Sequence, residues 1–192
     1  MIKLLILDID GCLTDGGYFS PSVPSMSCGD TKVADLTPQL YFRKFNTSDF
    51  VGIKMLSDAG IRCMVLTGSY EPSMPQFERA GREIEVCSGV QDKSEYVRIN
   101  FVDHPRAEEA LKWDEIAFIG DEINDCSLLA KVGLGACPAD ASREVIALIE
   151  GKTFGEGFVM SRKGGELCVR EFTDMIRDLM GIKASWCNWE EE

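Results

Sequence analysis

Histidine is almost missing from this 192-residue chain, which holds only His104. Its eight cysteines (positions 12, 28, 63, 87, 126, 137, 168 and 187) include no Cys-x-x-Cys pair. A zinc centre wants clustered Cys and His, so none is expected, and His104 beside Pro105 reads as a loop residue. A Ser-His-Asp hydrolase would have to recruit that same histidine, and no nucleophile-elbow sequence accompanies it. Most of the cysteines lie in apolar stretches, where a free thiol packs as a small core residue. Long apolar runs are absent too. No stretch approaches the roughly 20 residues of a membrane span, and the first residues lack a signal-peptide pattern. The expectation is a cytoplasmic protein. Positive charge is scarce: 20 Lys and Arg face 32 Asp and Glu, for a formal net charge of −12. Such a surface repels nucleic acid and acidic membranes, so neither is an expected partner. It also repels an anionic small molecule, unless a metal ion or local cations reverse the field.

What is present is an alternation. Short apolar runs at 3–7, 61–66, 85–87, 116–119 and 134–136 read as strands. Between them lie helical stretches. One, capped at Thr47 or Ser48, carries Phe50, Ile53 and Leu56 and stops at Gly60. Others are expected over 72–81, 93–101, 124–131 and 142–149. The last, over 166–180, places Cys168, Phe172, Met175 and Leu179 on one face. Strand–helix alternation predicts an α/β fold, a Rossmann-like parallel sheet with helices on both faces. The length suits a single domain over 1–183, with 184–192 as a tail carrying two tryptophans. Residues 16–45 break the pattern with three prolines and two aromatic patches, and read as a projecting hairpin.

The chemistry gathers at the strand exits. In "KLLILDIDGCLTDGG" an apolar strand runs directly into Asp8 and Asp10. Thr67 and Gly68 follow the second strand, Asp121 follows "AFIG" with Asp125 just downstream, and Lys93 opens a helix in "GVQDKSEY". A parallel sheet would bring these along one rim, where such folds bind ligands. Carboxylates without histidine or thiolate make an oxygen-only site, which suits magnesium and a substrate phosphate. An ionised carboxylate can attack phosphorus, and a second acid can protonate the departing alcohol and then activate water. Asp8 and Asp10 fit those two roles. Two other phosphate motifs fail on their residues. "CPADASR" satisfies Cys-x5-Arg, but Pro138 has no N–H for the anion and Asp140 repels it; "EGKT" has Ile146 where a P-loop needs glycine.

Taken together, "DIDGCLTD", "LTG", Lys93 and "GDEIND" resemble the motifs of the haloacid dehalogenase superfamily of aspartate-nucleophile phosphatases. The chain is most similar to the small capless branch of 3-deoxy-D-manno-octulosonate 8-phosphate phosphatases, which also holds the related domain of sialic-acid cytidylyltransferases. "LTDGGYF", "FNTSDFVGIKML", "VQDKSEYV", "VGLGACPADA" and "RKGGELCVREFTDMI" have counterparts there in the same order, covering residues 3–180. The resemblance implies Asp8 as nucleophile and Mg2+ ligand, and Asp10 as general acid/base lending its backbone carbonyl to the metal. It implies Thr67 and Lys93 as phosphoryl-holding groups, Asp121 as a metal ligand, and Asp125 as support for the metal shell or Lys93. It also implies a homotetramer in which the 16–45 hairpin covers a neighbour's open site; the alternative is a hairpin folded back on its own domain.

Three departures touch leaving-group recognition. Ser69 and Tyr70 follow Thr67-Gly68 where those enzymes usually have arginine, Glu166 and Leu167 replace Arg-Gly after Gly164-Gly165, and the hairpin is longer. The implied substrate is a phosphorylated 2-keto sugar acid of eight or nine carbons. Gly68 and Ser69 are candidate contacts. Arg162, Lys163 and Arg170 would either meet the substrate carboxylate or pair with Glu166 and Glu171. The competing reading is a catalytically silent domain that serves assembly.

Overall fold

The computed structural model describes residues 1–17, 43–69 and 84–183. Residues 18–42 of the expected 16–45 hairpin, the 72–81 helix and the tail over 184–192 lie outside these residues. Six parallel strands are present among them: β1 (Leu4–Leu7), β2 (Arg62–Leu66), β3 (Glu85–Cys87), β4 (Ile116–Ile119), β5 (Leu134–Cys137) and β6 (Glu156–Val159). They stand in the order β3-β2-β1-β4-β5-β6. The α/β Rossmann-like architecture is therefore as anticipated.

Strand β1 lies between β2 and β4, with Leu7 opposite both Val65 and Ile119. All four of its residues are buried, because helices cover both sheet faces. Leu5 and Leu7 point into one core with Ile53, Leu56, Val169, Phe172 and Ile176. These come from α1 (Thr47–Asp58) and the C-terminal helix α5 (Cys168–Met180). Leu4 and Ile6 point the other way, against Val97, Leu128, Leu129, Val145 and Ile149. That face is closed by α2 (Lys93–Val97), α3 (Cys126–Leu129) and α4 (Arg143–Glu150). The connection of β1 leads toward one edge of the sheet and that of β4 toward the other. The crevice between their carboxyl ends is where such sheets bind ligands.

Several local expectations change. The cap of α1 is Asn46, whose side chain accepts from Ser48 N at 3.1 Å, rather than Thr47 or Ser48. The helix beginning at Lys93 closes at Val97 into a wider turn over Arg98–Val102, where Asp103 N bonds Arg98 O. Within 124–131, a 3-10 turn over Ile123–Asp125 precedes α3. Helix α5 starts at Cys168, since Leu167 sits in the left-handed region at φ 77° just before it. Strand β6 went unanticipated because "EGFV" is an edge strand with exposed ends and no apolar run. The face of α5 also differs: Cys168, Val169, Phe172, Thr173 and Ile176 are buried, whereas Leu179 is exposed.

Leu167 supplies no side-chain cap to α5. Asp49 of α1 does so from across the interface, accepting the Arg170 N–H at 2.7 Å. This bond fastens the two helices end to flank. Burial pushes the Asp49 carboxyl up to about 6, with Arg170 opposing the shift. Truncation should separate the two ends of the α5 stripe. Phe172→Ala should cost about 3–5 kcal/mol, and Leu179→Ala less than about 0.5 kcal/mol. Urea titrations of the two variants check this, and equal losses would contradict the assigned face.

Candidate active site

Each site residue is placed by the end of its strand. Leu7 is the last residue of β1, and Asp8 N donates to Ile119 O at 3.1 Å, which carries the strand pairing one residue further. The Asp8 carboxylate thus starts from a fixed backbone and is almost wholly buried. Lys93, the first residue of α2, is fully buried and reaches it from the side. Its Nζ lies 2.9 Å from Asp8 Oδ1 and 2.5 Å from Asp125 Oδ1. The ammonium also stands 5.7 Å from the centroid of the Phe118 ring.

Asp125 is occupied on both oxygens. Oδ1 receives Lys93, while Oδ2 accepts Asp121 N at 3.0 Å and Glu122 N at 3.1 Å. It therefore shapes the turn after β4 rather than facing a ligand. Gly120 makes room for it, because a Cβ there would fall 2.6 Å from Asp125 Cγ. Asp121 then projects toward Asp8. Carboxylate oxygens of Asp8, Asp121 and Asp125 all lie within 4.8 Å of one another.

Three carboxylates share one ammonium in a mostly buried place, and their proton affinities record the imbalance. Burial raises the Asp8 carboxyl to about 6 despite Lys93. Burial and then the charges of Asp8 and Asp125 raise Asp121 to about 8. Lys93 is held above its ordinary value by Asp8 and Asp125, although burial pulls it down. An oxygen-only donor set with surplus negative charge fits a hard divalent cation, which Asp8 and Asp121 could hold.

These groups open into a cleft of about 480 Å³. Asp8, Asp10, Thr67, Gly68, Ser69 and Asp121 all line it, whereas Lys93 and Asp125 of the expected rim lie buried behind them. Thr67 Oγ1 accepts Ser69 N at 3.1 Å, and Gln91 Nε2 holds Gly68 O at 3.2 Å. Asp10 is gripped by a residue the sequence did not single out, Arg43, through bonds of 2.8 and 2.7 Å. Gln91, Glu122, Asn124 and Asp140 also line the cleft unanticipated.

Arg162, Lys163 and Arg170 are absent from that lining. The Arg170 guanidinium pairs with Asp174 one turn along α5, at 2.7 Å, rather than with Glu166, Glu171 or the cleft. Arg162 is held by its backbone, its N–H donating to Glu171 and its carbonyl accepting Ala139 N. The neighbouring glycines are what touch the site. Gly165 N donates to Cys12 O at 2.9 Å, and a Cβ on Gly164 would fall 2.0 Å from Gly11 O. The "RKGG" stretch therefore packs its backbone, not its cations, on the loop after β1.

No protein-family profile matches the chain. Among curated proteins, it is 26% identical over 176 residues to N-acylneuraminate cytidylyltransferase B of Danio rerio, covering 91% of this chain and 36% of that protein. The chain thus spans about a third of the length of the cytidylyltransferases it matches. It is 28% identical to the 3-deoxy-D-manno-octulosonate 8-phosphate phosphatase of Haemophilus influenzae, covering 94% of this chain and 85% of that one. Among solved structures, the cobalt-bound deoxy-D-mannose-octulosonate 8-phosphate phosphatase of Haemophilus influenzae superposes with a TM-score of 0.68 at 27% identity, covering 94% and 90% of the two chains. The chain is similar to these phosphatases and shares their fold, which is also that of a haloacid dehalogenase superfamily hydrolase of Legionella pneumophila (TM-score 0.71 at 27% identity, covering 94% and 84% of the two chains). No helix among the described residues is long and apolar enough to cross a membrane.

The raised carboxyl of Asp121 has a measurable consequence. Its folded value of about 8 lies far above its ordinary 3.8, so the folded protein binds the extra proton throughout that interval. Metal-free protein should therefore lose stability as pH rises from about 4 through 8, and level off beyond. Saturating Mg2+ should raise Tm by several degrees at pH 8 and flatten this decline, and Asp121→Asn should remove most of the response. A Tm at pH 8 indifferent to Mg2+ would contradict the assigned ligands.

Proposed function

We propose that this chain is a magnesium-dependent phosphomonoesterase acting on a phosphorylated 2-keto sugar acid of eight or nine carbons. The observation that carries the reading is the Asp8–Lys93 pair at the mouth of β1, opening on a cleft that Asp10, Thr67 and Asp121 also line. An Asp8 oxygen attacks phosphorus, and the bond from phosphorus to the ester oxygen breaks. The departing alcohol takes a proton from Asp10. In the second half, water gives a proton to Asp10 as its oxygen attacks phosphorus, the bond to Asp8 breaks, and phosphate leaves. Lys93 orients Asp8 and, with the Thr67 hydroxyl, offsets the phosphoryl charge. Asp8 and Asp121, with the Asp10 backbone carbonyl, would hold Mg2+, which when bound neutralises the carboxylates and polarises phosphoryl oxygens. The cobalt-bound relative supports a divalent cation, and the oxygen-only donors support magnesium among them. All the residues that a silent assembly domain could dispense with are gathered at this site, which favours catalysis over the assembly reading.

Phosphate release from eight- and nine-carbon ulosonate phosphates should exceed release from simple sugar phosphates, require Mg2+ and stop with chelator. Asp8→Asn should keep the fold and lose nearly all turnover, since an amide cannot form the phospho-enzyme; activity within about tenfold of wild type would refute the aspartyl-phosphate route.

The same reading carries a homotetramer, in which a neighbour's 16–45 segment covers the open cleft. Light scattering at micromolar concentration should give four chain masses. A single chain mass would leave each site open to solvent and remove the tetramer from the proposal.

A further inference from the structure

The residues leading into α1 bring a guanidinium to the wall of the cleft. Arg43 Nε donates to Asp10 Oδ1 at 2.8 Å, and Arg43 Nη2 donates to Asp10 Oδ2 at 2.7 Å. The same Nη2 reaches Ser69 Oγ at 3.3 Å. A third donor, the Thr14 hydroxyl, meets Asp10 Oδ1 at 3.3 Å. The arginine side chain is only 6% exposed, whereas Asp10 and Ser69 both face the cleft. A buried two-pronged pair of this kind differs from a surface ion pair. It specifies an orientation, because both carboxylate oxygens must lie in the plane of the guanidinium fork.

A carboxylate alone has no such preference: rotation about its last bond is broad and roughly two-fold. For proton transfer the oxygen must stand within hydrogen-bond reach of its partner, and small misplacements are expensive in rate. Ser69 and Asp10 belong to different loops, after β2 and β1, and Arg43 is a side chain that joins them. It does so from a third segment, so one group bridges all three.

We propose that Arg43 is a positioning residue for the reaction: its two-pronged grip sets the plane of the Asp10 carboxylate and ties it to Ser69 across the cleft wall. This rests on the reading of Asp10 as the acid/base group. Arg43 acts through Asp10, so its effect belongs in turnover rather than in affinity. Lysine at this position would restore the charge without the fork, and so should not restore the alignment.

The test uses full-length, Mg2+-loaded protein with a sugar-acid phosphate ester. Arg43→Ala should lower kcat by about tenfold to a hundredfold while KM stays within about threefold. Arg43→Lys should recover little of that loss, and added guanidinium ion should raise the turnover of Arg43→Ala severalfold while leaving wild type unchanged. A kcat unaffected by the alanine substitution overturns the inference. So does a rise in KM at constant kcat, which would make Arg43 a substrate ligand. A loss that Arg43→Lys restores, or one that guanidinium does not relieve and that follows a lowered Tm, would assign the residue to charge or scaffold instead. Asp10→Asn in the same assay separates the two levels. If it turns over like wild type, the acid/base reading fails and takes the inference with it; if it is inactive while Arg43→Ala is normal, only the inference fails.

Discussion

One ammonium among three carboxylates governs the arrangement of the rim. Lys93 is fully buried between Asp8 and Asp125, and removing one partner of such a group typically costs about 3–5 kcal/mol. Surface ion pairs such as Lys54–Asp58 contribute about 0–1 kcal/mol. The difference explains why the loop after β1, the start of α2 and the turn after β4 are held in mutual register. The helix and both loops must come to the lysine, or leave charge stranded away from water. Asp125 completes the arrangement by spending its other oxygen on the backbone of the turn that carries Asp121.

The same balance bears on the proposed cation. With Lys93 counted, the cluster still carries surplus negative charge, and the elevated affinities of Asp8 and Asp121 for protons express it. A proton and a divalent cation are alternative answers to one electrostatic problem. The oxygen donors decide which cations can compete, and the cleft leaves room for a phosphoryl group beside them.

Much of this arrangement is legible in the sequence. Strands β1, β2 and β4 are buried on both faces, so they appear as continuous apolar runs and their ends can be located. Acids stationed directly after such runs are conspicuous, which is why Asp8, Asp10 and Asp121 stood out. Arg43 did not, because nothing in "YFRKF" distinguishes a buried guanidinium from a solvated one. Arg170 misled for the mirror reason: its charge was visible, while its neighbour Asp174 on α5 was an equally available partner. Strand β6 and the cap at Asn46 were missed because an edge strand lacks the apolar signature, and because Asn, Thr and Ser compete for the same role over three consecutive positions.

The glycine-rich approach of residues 164–165 to the loop after β1 also bears on how the molecule is made. Cys168 Sγ donates to Cys12 O across 156 positions of sequence, so the loop after β1 gains this backing only when α5 arrives. Contacts this distant in sequence close late, since the intervening chain must first lose its freedom. On a ribosome delivering about 5–20 residues per second, the loop emerges on the order of ten seconds or more before its buttress. The nascent sheet can pair its first strands in that interval, and the loop around Gly11 can meet Asp121, but its backing from residues 164–168 is still missing. The backing of that loop is therefore completed late, when α5 docks, and a translation pause before α5 would prolong the interval without it.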